Sequence, residues 1–164
     1  MEFEKRLADR DRWSIGDGCS VAKVMDLLST KTAFLVIREC FYGTTRFEDF
    51  VERIGTSAPA VSRALKQLES ADIIARVPYR EPGRRARDEY RLTAAGEDLL
   101  PVFLSLVQWG DAHLQDGKGP LAFVDADSGR RVQVCVTTDA GKDRPRSDDI
   151  EIRYTGARSG QPLK

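Results

Sequence analysis

Apolar residues recur at helical spacing along most of this chain and switch to alternation near its end. Over residues 21–28, Val21, Val24, Met25 and Leu28 share one stripe. Residues 31–42, KTAFLVIRECFY, are apolar nearly all round, which predicts a central helix contacted on most sides and ended by Gly43. Phe47, Phe50, Val51 and Ile54 then stand at i, i+3, i+4 and i+7 before Gly55, the pattern of a two-turn amphipathic helix. Ser57 as N-cap and Pro59 in the first turn open another helix. Val61, Ala64, Leu65 and Leu68 carry it on, and Ile73 and Ile74 close it.

Residues 76–80 and 88–92 read as strands on either side of EPGRRAR, whose Pro-Gly marks a turn, so the pair predicts a β-hairpin. Thr93 caps a long helix over residues 94–114, kinked at Pro101, with Leu99, Val102, Phe103, Leu106, Trp109 and His113 on one stripe. DGKGP stops it. Val132, Val134 and Val136 then alternate with polar residues, as do Ile150, Ile152 and Tyr154, which predicts a small β appendage around the polar loop GKDRPRSDD. The terminal TGARSGQPLK is expected to be disordered. The reading is an α+β chain: an arm over residues 1–18, a main domain over 19–115, a β appendage over 116–155 and a tail over 156–164.

At 164 residues one ordinary core with an appendage is expected. The longest apolar run, AFLVI, falls far short of the roughly 20 residues that cross a bilayer. MEFEKRLADRDR lacks the apolar segment of a secretory signal, so a cytoplasmic location is expected. Three cysteines, Cys19, Cys40 and Cys135, stand far apart, against a disulfide framework and against a chelating pair. His113 is the single histidine, phosphate-cradling glycine loops are absent, and neither a catalytic site, a metal nor a cofactor is expected.

Charge changes the picture locally. The 26 basic and 26 acidic side chains cancel, yet residues 76–87 hold Arg76, Arg80, Arg84, Arg85 and Arg87 against one acid, Glu81. Two short helices with a glycine between them, followed by a basic hairpin, is the order of parts in a winged helix-turn-helix. A helix fits the major groove and reads base edges with its exposed face, here Ser57, Ala60, Ser62, Arg63, Lys66 and Gln67. The hairpin's Arg80, Arg84, Arg85 and Arg87 would reach the flanking backbone or minor groove, where counterion release and a narrow, negative groove favour arginine. Thr44 and Arg46, just before the first of these helices, are candidates for backbone contacts.

Three stretches carry a resemblance: CSVAKVMDLLSTKTAFLVIRECFYGTTRFEDFVERIG, SRALKQLESADII and EYRLTAAGEDLLPVFLSLVQWGDAHL. Together they resemble the HxlR family of bacterial winged-helix transcriptional regulators, relatives of the MarR group. The resemblance rests on the Cys-x-Val opening, the RF of TTRF, LKQLE, the YxLT-x-x-G step and the WG-x-x-H close. It implies a homodimer built from the N-terminal segment and the long helix, with Leu99, Val102, Phe103, Leu106, Trp109 and His113 at the interface. A long apolar stripe independently calls for a second copy. The implied function is sequence-specific binding of double-stranded DNA by a repressor.

Departures limit what carries over. Thr30-Lys31-Thr32 stands where the family usually has Gly-Lys-Trp, and the recognition helix opens Ser57-Ala58-Pro59 with Arg63-Ala64 further on, so base preference is not transferable. Some members carry a sensing thiol at the position of Cys19, which is weighed against a merely structural cysteine. Trp109 and Phe103 are either cavity walls for a small-molecule effector or core. The appendage resembles one that holds paired cysteines in other members; Ser128 and Thr138 replace two of them, so a metal-free extension is expected. The competing function is a winged-helix protein-interaction module without sequence-specific DNA binding.

Overall fold

A computed structural model describes residues 2–80, 83, 85–138 and 145–155. After three 3-10 turns in the arm, the described elements run α1 (Ser20–Leu27), α2 (Lys31–Phe41), α3 (Phe47–Ile54), α4 (Ala58–Ser70), β1 (Ile74–Tyr79) and β2 (Arg87–Leu92). They continue as α5 (Ala94–Glu97), α6 (Leu100–Leu114), β3 (Leu121–Asp125) and β4 (Ile150–Tyr154). Each strand pair is a separate two-stranded antiparallel sheet. The mixture of helices and small sheets is the expected α+β, winged-helix arrangement. Arg84, the tail over 156–164 and part of the loop GKDRPRSDD lie outside the described residues.

Local chemistry explains the helix boundaries. The Thr30 hydroxyl accepts from the Ala33 N–H at 3.1 Å and starts α2. Gly55 ends α3 at φ +67°, a left-handed position that costs glycine nothing. Ser57 takes the N-cap backbone conformation of α4, but its hydroxyl forms no capping hydrogen bond there. Facing sides of α2, α3 and α4 meet with the root of β1: Val36, Ile37, Phe50, Val61, Leu65, Leu68 and Ile74 are all fully buried. Each such burial contributes roughly 1.5–3 kcal/mol, so this cluster fixes how α3 and α4 are displayed.

A second core joins Leu100, Phe103 and Leu104 of α6 to Phe123 of β3. Phe34 and Phe41 of α2 pack against both cores, which is why that helix is apolar nearly all round.

Several expectations are corrected. The long helix is two: α5 stops at Glu97 and α6 begins at Leu100, with Pro101 in its first turn. Proline has no N–H to continue the ladder and its ring collides with the carbonyl four residues back, so the chain breaks instead of kinking. Ile74 opens β1 rather than closing α4, which ends at Ser70. Val132, Val134 and Val136 form no strand; the appendage's first strand is Leu121–Asp125, paired with β4 so that Phe123 faces Ile152. A single bridge from Arg131 to Val124 brings the valine segment alongside. The Gln108 side chain then takes the place of a strand neighbour: its Nε2 donates to the Val134 carbonyl at 3.1 Å and its Oε1 accepts from the Val134 N–H at 2.6 Å. On α1, Val24, Leu27 and Leu28 turn inward, while Val21 and Met25 of the expected stripe are exposed.

Candidate nucleic-acid interface

Burial on one side of α4 dictates what its other side can offer. Val61, Ala64, Leu65 and Leu68 face the core, leaving Ser57, Ser62, Arg63 and Lys66 exposed and Ala60 half-buried. Among the described residues neither Arg63 nor Lys66 forms an ion pair. Gln67 differs from its neighbours. Its Nε2 donates to the Leu27 carbonyl at 2.7 Å, capping an orphan carbonyl at the end of α1 and tying that helix to α4. It is a structural clamp, not a base-reading side chain.

Backbone geometry sets the hairpin against this helix pair. Tyr90 N–H donates to the Thr45 carbonyl at 2.8 Å and its ring meets Phe50 edge-on, 6.2 Å between centroids. At the root, Thr93 N–H donates to the Ile73 carbonyl, and the Thr93 hydroxyl accepts from Gly96 N–H at 3.1 Å. A Cβ on Gly96 would lie 2.1 Å from the Ile73 carbonyl oxygen, so only glycine allows this close approach. The step Thr93-Ala94-Ala95-Gly96 is therefore a fastening between hairpin and body.

The basic residues divide by partner. Arg76 bridges to Glu69 of α4 at 3.0 Å, tying the hairpin to that helix, while Arg91 pairs with Glu89 of its own strand at 2.6 Å. Arg87 lies 3.8 Å from Glu48, both groups well exposed, a separation at which little is lost when water or another anion intervenes. Arg46 stacks its guanidinium 5.0 Å from the Tyr79 ring. Arg80 is exposed on the loop, and Arg85 is exposed with no ion pair among the described residues.

Thr44 is corrected outright. It is buried, its hydroxyl donating to Glu39 Oε2 at 3.1 Å while Arg38 holds Oε1 at 2.6 Å. Glu39 was absent from the sequence candidates, although its place three residues after Val36 on the buried face of α2 was the available signal. Phe103 and Leu99 are likewise turned into the chain's own cores and are removed from the expected exposed stripe. Val102, Leu106, Trp109 and His113 remain exposed on α6, with Trp109 and His113 rings 5.0 Å apart.

Of the thiols, Cys19 is half-buried as N-cap of α1, its Sγ accepting from Ala22 N–H at 3.5 Å. Burial, reinforced by the neighbouring Glu39 charge, pushes the Cys40 thiol up to about 12, so it stays protonated and unreactive. Burial also raises the Tyr42 hydroxyl above its ordinary value. Among the described residues no group of three or more His, Cys, Asp or Glu could hold a metal ion, and no helix is long and apolar enough to cross a membrane.

A buried helix pair that presents one polar helix face, with a root-fastened basic hairpin beside it, is the arrangement of a winged helix-turn-helix. The chain belongs to the HxlR-like helix-turn-helix family, whose model matches residues 27–118. It is 36% identical over 104 residues to the uncharacterized HTH-type transcriptional regulator Rv3095 of Mycobacterium tuberculosis, an alignment covering 63% of this chain and 65%, under two thirds, of that relative. Among solved structures, it is similar to PA1374 from Pseudomonas aeruginosa (25% identity, TM-score 0.51), covering 88% of this chain and 92% of that one. The reduced form of the transcriptional regulator YodB from B. subtilis matches at 28% identity and TM-score 0.51, over 60% of this chain and 97% of that one.

Proposed function

We propose that this chain binds double-stranded DNA sequence-specifically as a homodimer and represses transcription by occupying promoter sites. The outer face of α4 enters the major groove, with Arg63, Lys66 and Ser62 at base edges. The wing, through Arg80, Arg84, Arg85 and Arg87, grips the flanking phosphates or minor groove, and Arg46 contacts the backbone. DNA affinity is modulated by a bound small molecule or by modification of Cys19.

One observation carries the reading: in a chain of zero net charge, Arg63 and Lys66 on α4 and Arg85 on the wing are exposed without a carboxylate partner among the described residues. Exposed Val102, Leu106 and Trp109 on α6, with Val21 and Met25 on α1, support self-association, since a set of large apolar side chains facing water marks an interface. Two recognition helices in such a dimer would address half-sites about 34–36 Å apart or a multiple of that.

Fluorescence anisotropy with duplexes from the chain's own upstream region tests this. Log affinity should fall steeply and linearly with log salt. Arg63→Ala should reorder the preferred sequences, whereas Arg85→Ala should weaken all of them alike. Absence of duplex binding at about 50 mM salt would overturn the proposal.

A further inference from the structure

We propose that the open cleft lined by α2, α6 and β3 is a binding site for a small aromatic cation, a one- or two-ring aryl group bearing an ammonium. The cleft measures about 300 Å³, at the small end of ligand sites, which limits the occupant to such a size. Phe34, Tyr42, Phe103 and Phe123 line it, with the Arg38 guanidinium 5.9 Å from the Tyr42 ring centroid, a contact that shows the lining accepts a cation beside an aromatic ring. The Phe103 ring already meets Tyr42 and Phe123 edge-on at 5.9 and 5.8 Å, so these walls are preformed.

Charge selects the sign of the ligand. Two charged side chains line the cleft, Arg38 and Asp111. Arg38 is neutralised in place by Glu39, at 2.6 and 3.0 Å. Asp111 accepts one side-chain hydrogen bond, from Gln115 Nε2 at 3.2 Å, and has no ion pair among the described residues. A carboxylate can accept about four hydrogen bonds, so Asp111 keeps acceptor capacity that no described residue uses. The carboxylate packs closely on Gly119, where a Cβ would overlap it at 2.0–2.2 Å.

Gly110 adds an independent sign that the space is kept open. Glycine is the least favourable non-proline residue in a helix interior, yet here it lines the cleft, and a Cβ on it would meet no atom within 4 Å. Leu121 and Phe123 lie beyond residue 118, where the family match ends, so this wall comes from the extension. Phe34 also packs against the core beneath α4, and Leu106 stands on the exposed face of α6. An occupant thus touches both the helix that seats α4 and the face read as the dimer contact. Its action as an effector rests on the DNA-binding reading; its binding does not.

Isothermal titration of the full chain with phenethylammonium chloride, and with sodium phenylacetate as the charge-reversed control, tests the site. We expect one saturable site per chain for the cation, weakened at least about tenfold by Asp111→Asn and equally weak for phenylacetate. Gly110→Leu should abolish binding while circular dichroism shows an intact helix content. No saturable heat with phenethylammonium, equal binding of phenylacetate, or indifference to Asp111→Asn overturns the proposal. So does a Gly110→Leu chain that sediments as a monomer when the unmodified dimer gives no heat, which assigns the space to a second copy. Saturable heat from a protein that binds no duplex leaves the site standing and removes the regulator reading alone.

Discussion

The chain carries two arginine-bearing antiparallel strand pairs of nearly equal length, the hairpin β1–β2 and the more widely separated pair β3–β4, and they are put to opposite uses. β1–β2 buries side chains at its root, where Ile74 is buried and Tyr90 and Leu92 pack on the first core, and most of its outer residues face solvent. β3–β4 lies on α6, with Phe123 and Val124 buried. Their charges follow suit. In the second pair Arg153 bridges to Glu151 at 2.6 Å, which lowers the carboxyl and raises the guanidinium, and the Ser128 hydroxyl and N–H hold the Asp125 carboxyl below its ordinary range. Beyond the root of the first, Arg85 has no such partner among the described residues and Arg87 only a distant one. A strand pair becomes a body part when it has apolar residues to bury and local acids to satisfy its bases. With few apolar residues to bury, it becomes a surface offered to something else.

Phe123 gives the sharpest way to break this contrast. Phe123→Ala removes the ring that stacks edge-on to Phe103 and should cost about 3–5 kcal/mol of stability in urea or thermal unfolding. Tyr79→Ala on the projecting hairpin should cost far less. Equal losses would mean that both strand pairs are structural.

Next in size is an arginine exchange. Replacing Arg80, Arg85 and Arg87 with alanine should lower the slope of log affinity against log salt by about 0.9 for each phosphate contact removed. Replacing Arg130, Arg131 and Arg153 should leave the slope unchanged. If the second set flattens it as much, the extension shares the DNA surface and the division between strand pairs fails.

A smaller effect refines the description of the extension. Gln108→Leu strands the N–H and carbonyl of Val134, and each unmet polar group costs about 1–3 kcal/mol where water cannot replace the partner. Loss of stability with unchanged duplex affinity is expected. Faster hydrogen exchange at the Val134 amide would show the segment detaching.

Much of the winged unit was legible from spacing, because each of its helices is locally self-consistent. Phe47, Phe50, Val51 and Ile54 can bury together only as a helix, Gly55 supplies the left-handed stop, and Val61, Ala64, Leu65 and Leu68 force Arg63 and Lys66 outward. Pro101 signals a kink because its cost is visible in the sequence, whereas the alternative of restarting the helix at Leu100 is not. Val132, Val134 and Val136 carry a strand's pattern without forming one, because alternation reports which side chains turn inward, not which backbone pairs. Gln108, 26 residues before Val134, provides that pairing.

The sequence by itself determined which faces are apolar and where bases outnumber acids, since periodicity and local composition are properties of neighbours along the chain. Only the tertiary structure decided which polar groups are already engaged. Gln67 and Thr44 look as available as Arg63 and Lys66 in the sequence, yet one caps the end of α1 and the other completes the partners of buried Glu39. Hydrogen bonds between distant residues depend on how elements dock, and docking is set by the shared cores rather than by any local pattern.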